Sequence, residues 1–152
     1  MGFALALHVL FAVIWVGGMF FAYVCLRPSL CEYDAQLKTT LWVNVLGRFF
    51  FWVRTASALL LLSGLYMIWS LGGMKAVGPH VHIMLALGIV MMMVFLHAYF
   101  APFRRLKKAV SDQTYALAAA QVEQIRKLVA VNLFLGLIVV VVATGGRYWL
   151  QG

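Results

Sequence analysis

The sequence predicts an all-α fold: an integral membrane four-helix bundle with both termini on the extracytoplasmic side. Three observations predict it. Of 152 residues, 65% are apolar and only 11% charged, against about 45–50% and roughly 25% in a soluble domain. The apolar residues gather into four long stretches, and one crossing of a bilayer takes about 20 residues, so four crossings and their connections use nearly the whole chain. The charge, +8 from 12 Lys+Arg against 4 Asp+Glu, sits mostly in the connections. This composition excludes an ordinary cytosolic domain and a disordered chain. In so apolar a sequence the basic excess points to anionic lipid rather than to nucleic acid.

The first stretch, about residues 3–26, ends at Arg27-Pro28. It is longer than the apolar region of a signal peptide and has no Lys or Arg before it, so it reads as a retained helix. His8, Phe11, Trp15, Gly18, Ala22 and Cys25 recur at spacings of three and four and share one face. Gly17 and Gly18 there let a partner helix or a flat ring come close. A polar connection with Glu32, Asp34 and Lys38 leads to the second stretch, about 44–70, which Arg48 and Arg54 enter and which ends in a loop with Gly72, Gly73, Gly78 and Pro79. The third, about 80–100, opens on His80 and His82 and is closed by Ala101-Pro102. His82, Ala86, Ile89, Met93, His97 and Phe100 share a face at helical spacing, which is expected to look into the bundle. A basic run over 104–108 and a helical segment over 115–127 precede the fourth stretch, about 128–150. The whole is one transmembrane domain.

Loop charges set the orientation. The connection between the third and fourth stretches holds Arg104, Arg105, Lys107, Lys108, Arg126 and Lys127, and that between the first and second holds Arg27 and Lys38. The opposite side offers only Lys75 and Arg147. The basic connections are therefore expected in the cytoplasm. His8, His80 and His82 then lie near the outer surface, and His97 lies roughly 22 Å deeper than His82 along the third helix, level with Arg48 and Arg54.

Ionisable groups inside a bilayer are costly and mark candidate sites. His8 and His82, on different helices at one depth, are what a six-coordinate haem b requires as axial ligands, with Trp15 on the same face as His8. His97, Arg48 and Arg54 form a second, inner polar group suited to haem propionates, a quinone or a porphyrin substrate. The alternative cargo is copper, with His8, His82, Met93 and His97 as stepping sites, because thioethers suit Cu(I). Of the run Met91-Met92-Met93, only Met93 joins the histidine face. Cys25 and Cys31 fit neither a zinc pattern nor a disulfide framework. Motifs of nucleotide binding, serine hydrolysis and zinc proteolysis are absent, and the four acidic residues all lie outside the stretches.

Residues 7–19, LHVLFAVIWVGGM, resemble the first helix of the copper-resistance D (CopD) family. Gly47-Arg48-Phe49, with the run to Ser63-Gly64-Leu65, resembles that family's entry into its next helix. The stretch from His82 to His97-Ala98-Tyr99, followed by Phe103-Arg104-Arg105, is similar to the third helix of HemJ-type protoporphyrinogen oxidases, small four-helix relatives that bind haem b. That resemblance implies His8, His82 and His97 as the matching histidines. It departs from the HemJ pattern at Met84, where a lysine is usual. The expectation is thus a multi-pass protein of a bacterial inner (plasma) membrane that binds haem b and transfers electrons or oxidises a membrane-associated substrate. The alternative is CopD-type copper transport or homeostasis, and a homo-oligomer stays open.

Overall fold

The computed structural model describes residues 1–149. Four long helices follow one another: α1 (Gly2–Ser29), α2 (Ala35–Ser70), α3 (Pro79–Ser111) and α4 (Tyr115–Trp149). All four are long and apolar enough to cross a membrane. The predicted end of the fourth stretch at Leu150 lies outside the described residues. Each helix outruns its predicted stretch, and the local chemistry says why. The Asp34 carboxylate caps α2 by accepting from the Leu37 amide at 2.8 Å, which satisfies an orphan donor and starts the helix well before residue 44. Pro102 does not end α3. It is buried in a π-turn over Tyr99–Phe103, whose wider winding accommodates the missing N–H and the ring. The segment over 115–127 is simply the first part of α4.

Helix ends are closed by chemistry that the sequence displays. After α2, Gly72 and Gly73 take φ of 100° and 88°, and their amides bond back to the Trp69 and Ile68 carbonyls at 3.1 and 2.9 Å. Only glycine adopts that left-handed turn freely. After α3 the same motif recurs with Gln113 at φ 55°; Gln113 and Thr114 amides reach the Val110 and Ala109 carbonyls. A side chain in this region is strained, so Gln113→Gly is expected to stabilise the protein by roughly 0.5–1 kcal/mol. Thermal denaturation in detergent reads the shift.

The helices alternate in direction. The Ser70 hydroxyl meets the Met1 sulfur at 3.1 Å, and a Cβ on Gly146 would lie 2.9 Å from that of His80. One end of the bundle, the terminal end, therefore gathers Met1, the 71–78 loop and the last turns of α4. The other, the connection end, carries the two basic connections. At 36 residues, α2 is roughly 54 Å long, far more than the ~30 Å of a hydrocarbon core. The surplus turns of all four helices project at the connection end as a helical collar.

α1 packs along α2 and α3 along α4, and α4 also touches α1 and α2. The core centres on Phe50, whose ring meets those of Phe95, Tyr99 and Phe103 at 5.5, 6.0 and 4.9 Å. Trp15 of α1 joins through Phe95, 6.3 Å away edge to face. Burial is lopsided: α1 has no buried residue before Trp15, α3 none before Met91, and α4 none over 137–145.

Candidate functional site

On α1 the predicted face is the packed one. Trp15 and Ala22 are buried on it, together with Met19, while Cys25 is exposed. Gly18 does admit a flat ring. That ring is Phe49 of α2, whose Cε2 would lie 2.4 Å from a Cβ at this position, so the close approach is used by the protein's own core.

His8 lies on the seam between α1 and α2. Its Nδ1 is 2.9 Å from the Ser63 hydroxyl, and Gly64 makes room, since a Cβ there would stand 3.3 Å from the imidazole Cε1. The Ser63 hydroxyl also reaches the Leu59 carbonyl at 2.6 Å. Which of Nδ1 and Ser63 Oγ donates follows the imidazole tautomer; in the tautomer protonated at Nδ1, the lone pair of Nε2 is left as an acceptor or metal-binding atom. In the sequence Ser63 enters only as part of the Ser63-Gly64-Leu65 run, with no sign of a partner on another helix.

The remaining sequence candidates are not gathered around His8. His82 is exposed and its Nδ1 turns to the Gly78 carbonyl of its own helix at 3.2 Å. His97 and Met93 are exposed too, Met93 at 64%. The stripe from His82 to Phe100 thus lies on the outside of α3, and the expectation that it looks inward is corrected. Helical spacing shows that residues share a face and not where that face points. Between His82 and His97 α3 is apolar all round, so nothing in the pattern of that segment fixes the rotation. The inward residues are Met91, Phe95 and Ala98. The half-buried histidine at this end of α3 is His80, packed on Gly146 with its Nδ1 buried and unbonded.

The inner polar group dissolves in the same way. Arg48 and Arg54 are exposed. Arg54 lays its guanidinium over the Phe51 ring, 5.7 Å away, and so reaches along the surface of α2 toward the connection end. His8 and His82 thus have different neighbours, and the structure assembles no propionate site from His97, Arg48 and Arg54. Among the described residues no three His, Cys, Asp or Glu side chains form a metal-holding group.

Soft donors lie instead in the middle of the bundle. Met19 and Met91 are 2% and 4% exposed. Met91 reaches Gly136 of α4, its Cε 3.2 Å from where a Cβ would be. One turn earlier on α4, Asn132 is buried with its Oδ1 unbonded, and it lines with Met19 a void of about 20 Å³. From the run Met91-Met92-Met93 the sequence selects Met93, on the histidine face, whereas the structure buries Met91 and leaves Met93 exposed; Asn132 carries no such signal in the sequence.

No curated protein and no solved structure matches the chain. The family described as copper resistance protein D, CopD, matches residues 43–145, which takes in most of α2, all of α3 and most of α4. With more than half of its residues matched across three of its four membrane-spanning helices, the chain belongs to the CopD family and is a copper-resistance-related membrane protein.

Proposed function

We propose that the chain is a copper transport and homeostasis protein of CopD type, with copper(I) as its cargo. The observation that most supports this reading is the burial of two thioethers, Met19 and Met91, in the bundle centre, with Met19 on a void that Asn132, its amide oxygen unbonded, also lines. Thioether sulfur binds Cu(I) and discriminates against the hard cations of the cell. With His8 Nε2 on the terminal side, the donors form a series rather than a closed cage. A series of weak sites is what passage requires, since a cation must leave each site as readily as it enters. By the distribution of basic residues, the terminal end faces outward in a bacterial inner membrane. The family match gives no support to haem b, to a quinone or to porphyrinogen oxidation.

The test keeps volume and removes sulfur. Met→Leu swaps in a core usually cost less than about 1.5 kcal/mol, so a Met19→Leu/Met91→Leu protein should reach the membrane at wild-type levels. Copper accumulation in cells expressing it, measured by elemental analysis at matched protein levels, is expected to fall to that of cells with empty vector. Wild-type accumulation by the double variant would show that the two residues only pack, and would remove the support for this reading.

A further inference from the structure

At the connection end, α1, α2 and α4 enclose a cavity of about 340 Å³, in the size range of binding pockets. Its floor is apolar and includes Trp42, Leu46 and Phe49. Its rim carries three cations, Arg27, Lys38 and Arg126, against one carboxylate, Glu123. Glu123 pairs with Nη2 of Arg126, while Nε of the same guanidinium is buried without an acceptor. Arg27 is steadied over the Tyr23 ring at 5.6 Å. A buried N–H without a partner is costly, and an anionic oxygen in the cavity would satisfy it.

Depth decides the class of anion. Arg27 closes the apolar run of α1, and Arg126 stands just before the apolar run of α4 that begins at Leu128. The rim is therefore level with headgroups and the floor with the start of the hydrocarbon. We infer that this cavity seats the phosphate of an anionic phospholipid between Arg27, Lys38 and Arg126, with the first methylenes of an acyl chain on Trp42, Leu46 and Phe49. Guanidinium groups recognise phosphate oxygens in a planar, forked geometry. The excess of positive charge on the rim disfavours a choline headgroup. Basic pockets between membrane helices take anionic headgroups on this physical ground. The inference is independent of copper transport.

Native mass spectrometry of the full chain in detergent, titrated with phosphatidylglycerol or phosphatidylcholine, tests it. Phosphatidylglycerol is expected to bind saturably and at least about tenfold more tightly. Arg27→Gln/Lys38→Gln should weaken it about thirtyfold, from the contribution of each cation near a charged lipid. Lys107→Gln/Lys108→Gln, with exposed cations at the same end but outside the cavity, should bind like wild type. Equal affinity for the two lipids, or unchanged binding by the Arg27/Lys38 variant at wild-type melting temperature, would overturn the proposal. So would inorganic phosphate raising the melting temperature through Arg27 and Lys38 in a protein that does not retain phosphatidylglycerol, since the site would then be one for a soluble anion.

Discussion

Phe50→Ala is expected to destabilise the bundle by about 3–5 kcal/mol, the range for removing a buried aromatic ring. The ring is 3% exposed and stands edge-on to Phe95, Tyr99 and Phe103 of α3, so truncation opens a void where α2 meets the winding defect around Pro102. Lipid matters here. Between membrane helices the apolar side chains gain nothing from leaving water, and packing supplies the attraction instead. A lost ring therefore loses contacts that no acyl chain at that depth replaces. Denaturation of the purified protein by heat or by increasing ionic detergent measures the loss. Phe134→Ala, at a ring 66% exposed on α4, should stay within about 0.5 kcal/mol. Equal effects at the two positions would mean that the aromatic cluster does not hold the helices together.

The second large effect is expected at Gly136. A Cβ there would lie 2.9 Å from Cγ2 of Val16 and 3.2 Å from the Met91 methyl. Val16 is β-branched and stiff, so it cannot turn aside, and α4 must move off α1. Gly136→Ala should destabilise by about 1–3 kcal/mol, as overpacking does, and Gly136→Leu by more. Gly88 supplies the opposite sign. Nothing lies within 4 Å of a Cβ at that position, so Gly88→Ala should stabilise by roughly 0.5–1 kcal/mol through helix propensity alone. The same denaturation assay reads both, and a destabilising Gly88→Ala or a neutral Gly136→Ala would contradict the packing described.

Four helices of alternating direction were legible because lipid imposes a length and a polarity that composition reveals. The inward face of α1 was legible too, because Gly18 and Ala22 mark where another helix comes close. The rotation of α3 was not. In water the apolar side of a helix is its buried side, but lipid and core are equally apolar, and the markers that α3 carries mislead: His82 and His97 are exposed and Gly88 has open space beside it. His82 and His97 were assigned to the interior on spacing, which is silent on that point. Met19 and Asn132 line one void from two different helices, and Met91 meets Gly136 across a helix interface, so no local pattern contains them. The basic cavity was hidden differently. Arg27, Lys38 and Arg126 were read as charges of the connections; the structure sets them within three helices, and only folding shows that they share one rim.

The uneven burial along the helices makes the molecule resemble tongs joined at one tip. The joint is the aromatic cluster and the collar beyond it. The blades are the terminal halves of the α1–α2 and α3–α4 hairpins, whose parting uncovers little packed surface, since α1 before Trp15 and α3 before Met91 have no fully buried residue. Local opening free energies follow the packing that each motion disrupts. Amide exchange should therefore be faster for the terminal halves of α1 and α3 than for the segments around Trp15, Phe50 and Phe95. An opening at that end would admit material from one side of the membrane while the opposite end stayed shut.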